Sequence, residues 1–200
     1  MLWRTFMCGE LRELHDRIRA TTVYITHDQL EAMAMADRIA IMKAGMVEQI
    51  GTPQEIYDRP RTMFVADFIG APPMNLLNLE TAVHRGDQSL ALDGGAIEVP
   101  EIQEDRPAGP LALGVRPEHV SLVDTAALRG RVFGTEYLGT MQIVTIVTAY
   151  GQVKARLSSK TAVQRGETVG LALQRDRLCL FDAVTGRALQ SALYNGACRG

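Results

Sequence analysis

Two hundred residues, 46% of them hydrophobic, are enough to bury one large core or two small ones. The 21 basic and 23 acidic side chains fall as 8 and 10 over positions 1–70 and 13 of each over 71–200, so neither part carries the basic excess of a nucleic-acid-binding surface. No apolar run approaches the roughly 18 residues of a spanning helix. The three cysteines, Cys8, Cys179 and Cys198, are too far apart and odd in number for a disulfide framework or a zinc site, which fits a reducing compartment.

Trp3, Met7, Leu11, Leu14 and Ile18 recur at helical spacing, with Arg12, Glu13, Asp16, Arg17 and Arg19 on the other side, and predict an amphipathic helix that starts without an N-cap. Thr21 and Thr22 end it. Val23-Tyr24-Ile25 then reads as a short buried strand that stops at Thr26-His27-Asp28, and Leu30, Met33 and Ala34 resume the helical period. A polar switch at a strand's carboxyl end is where open α/β sheets place ligands. Asp28 and Glu31 have capping-box spacing, so Asp28 is expected to cap the helix, and His27 taken alone is an ordinary structural residue. His27 and Glu31 as a metal pair would need a third ligand, which the neighbourhood lacks.

Residues 38–42 and 46–50 predict a β-hairpin turned at Lys43-Ala44-Gly45. Thr52-Pro53-Gln54-Glu55 is a strong helix start, with Thr52 as N-cap, Pro53 at the first helical position and Glu55 closing the box. Another helix is expected over 62–69, with Phe64, Val65, Phe68 and Ile69 on one side. Gly70-Ala71-Pro72-Pro73 cannot continue it and marks the clearest compositional boundary.

Beyond that boundary the period is two. Strands are expected at 76–84, 89–92, 96–99, 111–116, 120–123, 128–137, 141–148, 152–157, 168–173 and 177–181, with glycine turns between several of them and a polar loop at 101–110. Many short strands at such intervals point to an all-β barrel of the OB type. Arg116, Glu118 and His119 cluster around Pro117 at a strand end, where a solvated turn is the simple reading, and Cys179 is expected to be a small buried hydrophobe.

Seven phrases then match one family in order: Thr26-His27-Asp28-Gln29-Leu30-Glu31-Ala32-Met33, Ala36-Asp37-Arg38-Ile39, Gly51-Thr52-Pro53-Gln54-Glu55-Ile56-Tyr57, Phe64-Val65-Ala66-Asp67-Phe68-Ile69-Gly70, Gly114-Val115-Arg116-Pro117-Glu118-His119, Glu136-Tyr137-Leu138-Gly139 and Phe181-Asp182-Ala183-Val184-Thr185-Gly186. The chain resembles the ATP-binding subunits of ABC importers, in the carbohydrate and glycerol-phosphate branch whose ATPase domain is followed by an OB-like regulatory domain. The resemblance implies an α/β remnant of a P-loop ATPase domain over 1–70, running from the helix after the D-loop through the switch histidine, and an all-β OB-like regulatory or dimerisation domain over 71–200. It makes His27 the switch histidine that contacts the γ-phosphate of ATP. It implies ATP and Mg2+ as cofactors of a complete member, and a second ATPase subunit and membrane permease subunits as partners on the inner face of the cell membrane. Contacts through Asp28, Arg116, Glu118 and His119, and a regulatory protein or small effector at the β domain, follow from the same resemblance.

The departures from that family are equally specific. These residues contain no G-x-x-x-x-G-K-[ST], no Leu-Ser-Gly-Gly-Gln and no apolar strand ending in Asp-Glu. Those motifs supply the phosphate cradle and the magnesium ligands. The expectation is therefore a carboxyl-terminal portion of such a subunit that does not hydrolyse ATP by itself. A non-catalytic regulatory or effector-binding β module is the alternative, and nucleic acid is disfavoured because 71–200 is net neutral and its aromatics are scattered.

Overall fold

A computed structural model describes residues 2–195, apart from the side chains of residues 2–6, 8 and 195. Trp3, Cys8 and Cys198, singled out in the sequence, lie outside the described side chains. The chain forms two compact units, which divide between Asp58 and Arg59.

The first unit holds helix α1 (Leu2–Ile18), helix α2 (Gln29–Met35), a hairpin of β1 (Ile39–Lys43) and β2 (Met46–Gly51), and helix α3 (Pro53–Asp58). The hairpin turns at Ala44 and Gly45, both at positive φ, as a two-residue turn that follows the twist of its strands requires. The capping box of α3 is complete: Thr52 N–H donates to Glu55 Oε2 at 2.8 Å and Glu55 N–H to Thr52 Oγ1 at 3.2 Å. Burial in this unit is confined to the inner face of the hairpin, with Ile39, Ile41 and Gln49, and to Ile56 of α3.

One expectation fails here. The strand predicted at 23–26 is not formed: these residues belong to no sheet, and Val23 and Ile25 are 87% and 86% exposed. A parallel strand needs neighbours that arrive by long crossovers, and every sheet among the described residues is antiparallel. The helix expected over the first residues does form as α1, and its apolar stripe of Met7, Leu11, Leu14 and Ile18 is exposed.

The second unit begins with helix α4 (Met63–Phe68). Its strands are β3 (Asn75–Val83), β4 (Ser89–Leu92), β5 (Gly95–Glu98), β6 (Arg106–Val115), β7 (Val120–Val123), β8 (Leu128–Tyr137), β9 (Met141–Thr148), β10 (Gly151–Ser158), β11 (Thr168–Leu173) and β12 (Cys179–Asp182). They form a three-stranded sheet, β12-β6-β3, a five-stranded sheet, β10-β9-β8-β11-β7, and the hairpin β4-β5. The polar loop expected at 101–110 gives way to strand from Arg106, because β3 is long enough to pair back to that residue.

The two larger sheets meet at β3 and β10. Asn75 Nδ2 donates to Lys154 O at 2.9 Å and Lys154 N–H donates to Asn75 Oδ1 at 2.7 Å, while Asn78 N–H reaches Tyr150 O at 2.8 Å. Between the sheets lies one apolar core that includes Leu77, Leu111, Leu113, Val144, Ile146, Val153 and Leu180. Residues 111–116 are buried without a break because β6 is covered on both faces. Leu111, Leu113 and Val115 point into the main core, and the small Ala112 and Gly114 face a second cluster of Met74, Cys179, Phe181, Ala188 and Ala66 of α4. A Cβ at Gly114 would meet Met74 Sδ at 2.6 Å and the Phe181 ring at 2.8 Å, so only glycine allows this approach. This packing is why the compact units divide ahead of the proline boundary at 70–73. Pro72 and Pro73 follow the end of α4, but α4 itself is part of the second unit's core.

Candidate functional site

His27 sits in the turn that leads into α2. Asp28, in extended conformation at φ −96° and ψ 110°, caps that helix, its Oδ1 accepting the N–H groups of Leu30 at 2.9 Å and Glu31 at 3.4 Å. The reciprocal half of the expected box does not form. Glu31 instead accepts the hydroxyls of Thr26 at 2.8 Å and Tyr24 at 3.2 Å, and the Asp28 N–H donates to Thr26 Oγ1 at 3.0 Å. Asp28, expected at an interface, caps α2 and is partly exposed. These bonds fix residues 24–31 around His27, whose ring is exposed. Arg12 ties α1 to the far end of α2, donating to Met35 O at 2.8 Å and Asp37 Oδ1 at 2.9 Å, and the Asp37 bond first, then the charge of Asp16, raises its pKa further.

In the second unit, the four residues grouped at Pro117 do four different things. Arg116 is 1% exposed, and its guanidinium donates to the carbonyls of Ala66 and Ile69 at the end of α4. Arg116 is thus an internal tie and not a surface contact. A helix terminus leaves carbonyls without partners, and a buried cation supplies them. Pro117 starts a single 3-10 turn, Pro117–His119, and is buried. Glu118 is partly covered, 4.0 Å from Arg156 Nη1, and Arg156 in turn donates to Ala71 O at 2.7 Å. His119 uses its backbone, its N–H donating to Arg116 O and its carbonyl accepting from Gln174 N–H. Its side chain is half-buried.

The sequence reading missed the strongest polar network of this unit. Asp182 accepts Arg106 Nε at 2.9 Å and the N–H groups of Val184 and Thr185 at 2.8 and 2.9 Å. The Arg106 bond first, then the two amides, hold its carboxyl well below the usual range. Glu104 accepts Arg187 Nη2 at 2.8 Å and Gln190 N–H at 2.6 Å. Burial pushes Glu104 up, but the Arg187 bond and the amide outweigh it and leave it lowered. Tyr194 donates to Pro60 O at 2.9 Å, and burial, with Cys179 beside it, pushes its phenol far up. Asp182-Ala183-Val184-Thr185-Gly186 carries the signal of an Asx turn, an Asp able to accept from residues two and three ahead. Arg106 has no such signal, being 76 residues away. Cys179 is buried, as a small hydrophobe should be.

Among the described residues no group of three or more His, Cys, Asp or Glu side chains is placed to hold a metal, and no helix is long and apolar enough to cross a membrane.

Comparison with known proteins places these elements. Residues 70–120 match the MalK OB fold domain, and residues 113–181 match the TOBE domain. The chain is 39% identical over 190 residues to the sn-glycerol-3-phosphate import ATP-binding protein UgpC of Chromobacterium violaceum, covering 94% of this chain and 51% of that protein. It is 40% identical over 188 residues to UgpC of Escherichia coli, covering 92% and 52%. The osmoprotective compounds uptake ATP-binding protein GgtA of Synechocystis is 33% identical over 193 residues, with 92% and 52% covered. A solved structure of the molybdate-binding protein ModG aligns at TM-score 0.41 with 16% identity over 53% of this chain and 94% of that one, a likeness too slight to bear on the ligand. The second unit is therefore built from OB-type domains of the MalK OB fold and TOBE families, in a chain that is homologous over nearly its whole length to importer ATP-binding proteins and spans about half of theirs.

Proposed function

We propose that this chain is the carboxyl-terminal portion of the ATP-binding subunit of an ABC importer for glycerol-phosphate-like or sugar solutes. The observation that carries this is the extent of the identity, 39% over 190 residues, which runs through both compact units. On this reading residues 1–70 descend from the ATPase domain, an α/β remnant deprived of its central sheet, and 71–200 are the regulatory domain. The exposed extended segment at 23–26 fits a strand whose sheet neighbours are not in these residues.

His27 is then the switch histidine of a nucleotide site. An imidazole within hydrogen-bond reach of a γ-phosphoryl oxygen stabilises the charge that develops there, and phosphoryl transfer depends on such positioning. The residues present do not make that site. No loop of backbone amides with a lysine cradles phosphate in the sequence, and no cluster of carboxylates among the described residues holds magnesium. ATP and Mg2+ belong to the complete subunit, and the expected result for this chain alone is no turnover. Incubation with ATP and magnesium beside a His27→Ala control checks it; turnover by the parent above that control overturns the expectation.

In the complete assembly the partners are a second ATPase subunit and membrane permease subunits on the inner face of the membrane. Asp28, Glu118 and His119, each partly exposed, are the candidates for contact with a partner, whereas Arg116 is buried. A second reading, a regulatory or effector-binding β module without catalysis, is favoured by the closed core of the second unit. A thermal-shift screen against sugars, glycerol phosphate and molybdate separates the two, because a saturable rise in melting temperature with one of them supports the module.

A further inference from the structure

Three apolar surfaces of the first unit face water. Val23, Tyr24 and Ile25 are extended, exposed and part of no sheet. Successive side chains of an extended segment point to opposite faces, so this run is apolar on both, the pattern of a strand covered from two sides. The hairpin has the same character. Its inner face buries Ile39 and Ile41, and its outer face presents Met42 opposite Val47, 59% and 52% exposed, beside the pair Ala40 and Ile50. The α1 stripe of Met7, Leu11, Leu14 and Ile18 is the third. The chemistry of these surfaces restricts what covers them. A lipid interior offers no hydrogen-bond partners to an extended backbone, and a small molecule spans neither a helix face nor a hairpin. A polypeptide that brings both a sheet edge and apolar faces serves all three. Homology narrows its class: ATP-binding proteins of importers match 94% and 92% of this chain, most of the first unit necessarily included, over only 51% and 52% of their own length.

We propose that the first unit is the receiving half of a split fold: as a separate polypeptide, this chain binds in trans the amino-terminal part of an importer ATP-binding subunit. That part adds strands beside residues 23–26 and covers the outer face of the hairpin and the α1 stripe. The inference rests on the ATPase-subunit reading and goes beyond it, since common ancestry does not require two parts to find each other when no peptide bond joins them. Local order already in place favours the association. Asp28 caps α2, Glu31 accepts the Thr26 and Tyr24 hydroxyls, and Arg12 fixes α1 to Met35 O and Asp37. The receiving surfaces are thus partly preorganised, and less ordering entropy is lost on binding. The second unit, whose core is closed by its own strands, takes no part.

Coexpression of the full chain with a tagged amino-terminal part of UgpC of Escherichia coli, the region this chain does not match, tests it. The two are expected to co-purify in equal amounts, and the amides of α1 and residues 22–26, open in the chain alone, to gain hydrogen-exchange protection in the complex. Ile25→Asp and Leu14→Asp fall at positions exposed in this chain. Each is expected to weaken the complex at least about tenfold without moving the unfolding midpoint of the chain alone. Val184→Asp, at an exposed position of the second unit, should leave the complex intact. Failure to co-purify overturns the proposal, and so does a complex indifferent to Ile25→Asp and Leu14→Asp. Protection of 22–26 in the chain alone, as a second copy would give, overturns it too. A single polypeptide carrying the same two sequences in order separates this proposal from the reading beneath it. If that polypeptide hydrolyses ATP, with turnover lost in His27→Ala, while the separate parts stay apart, the reading stands and the association in trans fails. A single polypeptide without turnover counts against the reading itself.

Discussion

The two compact units carry equally clear sequence patterns and come to different ends. In the first, the α1 stripe and the residues at 23–26 are apolar at the right spacing, yet they lie exposed, and burial reaches only the hairpin and α3. In the second, ten antiparallel strands close on a continuous core. The difference lies in how each pattern finds its partner. Antiparallel strands joined by short turns bring their neighbours with them, whereas a lone helix face or a parallel strand needs surfaces supplied from far away in the chain. Periodicity states that a face is meant for burial, and topology decides whether anything buries it.

The comparison breaks most readily at the core. Leu113→Ala is expected to cost about 2–5 kcal/mol, because the filled space between the sheets cannot collapse fully. Leu14→Ala, on the exposed stripe of α1, is expected to stay within about 0.5 kcal/mol. Urea unfolding of both variants measures the gap, and equal losses would erase the distinction between the units.

Arg116→Met comes next. It keeps the bulk of the side chain but removes the guanidinium donor from the buried carbonyls of Ile69 and Ala66, the latter keeping the Met74 N–H at 3.3 Å. A loss of about 1–3 kcal/mol is expected, and a neutral result would make Arg116 dispensable to the second unit. Removal of the α4 cap by Thr62→Ala, whose hydroxyl accepts the Val65 N–H at 3.3 Å, is expected to cost about 1 kcal/mol.

Asp182 gives the second unit an acid dependence. Its folded pKa lies below the ordinary value of about 3.9, so its stabilising contribution is fully present above that value and is lost as the pH falls toward the folded pKa. Asp182→Asn should lower stability at neutral pH and flatten the fall below about pH 4. An unchanged acid slope in denaturant titrations would show that the Arg106 pair does not contribute.

The strands at 89–92, 120–123, 128–137, 141–148 and 168–173 were legible to the residue, since the first two and the start of the third alternate between a core and a solvent face and the last two are runs rich in apolar residues. The caps at Asp28 and Thr52 were legible because they act over three residues. The strand at 23–26 was misread because its composition speaks of burial and says nothing of partners. Arg116 looked like a surface charge beside a proline, and only the three-dimensional return of α4 onto β6 makes it a buried tie. The Arg106 to Asp182 pair was invisible for the same reason, since the first residue of β6 and the last of antiparallel β12 are 76 residues apart in the chain. His27 is proposed only on the resemblance of its surrounding phrase, since an exposed imidazole at a helix start carries no local mark of phosphate chemistry.

Hydrogen exchange across the full chain tests the contrast between the units most directly. Amides of β6 and β9 should exchange only through global unfolding, and amides of α1, α2 and residues 22–26 should exchange through local opening many times faster. Protection of α1 and 22–26 equal to that of β6 and β9 would contradict it.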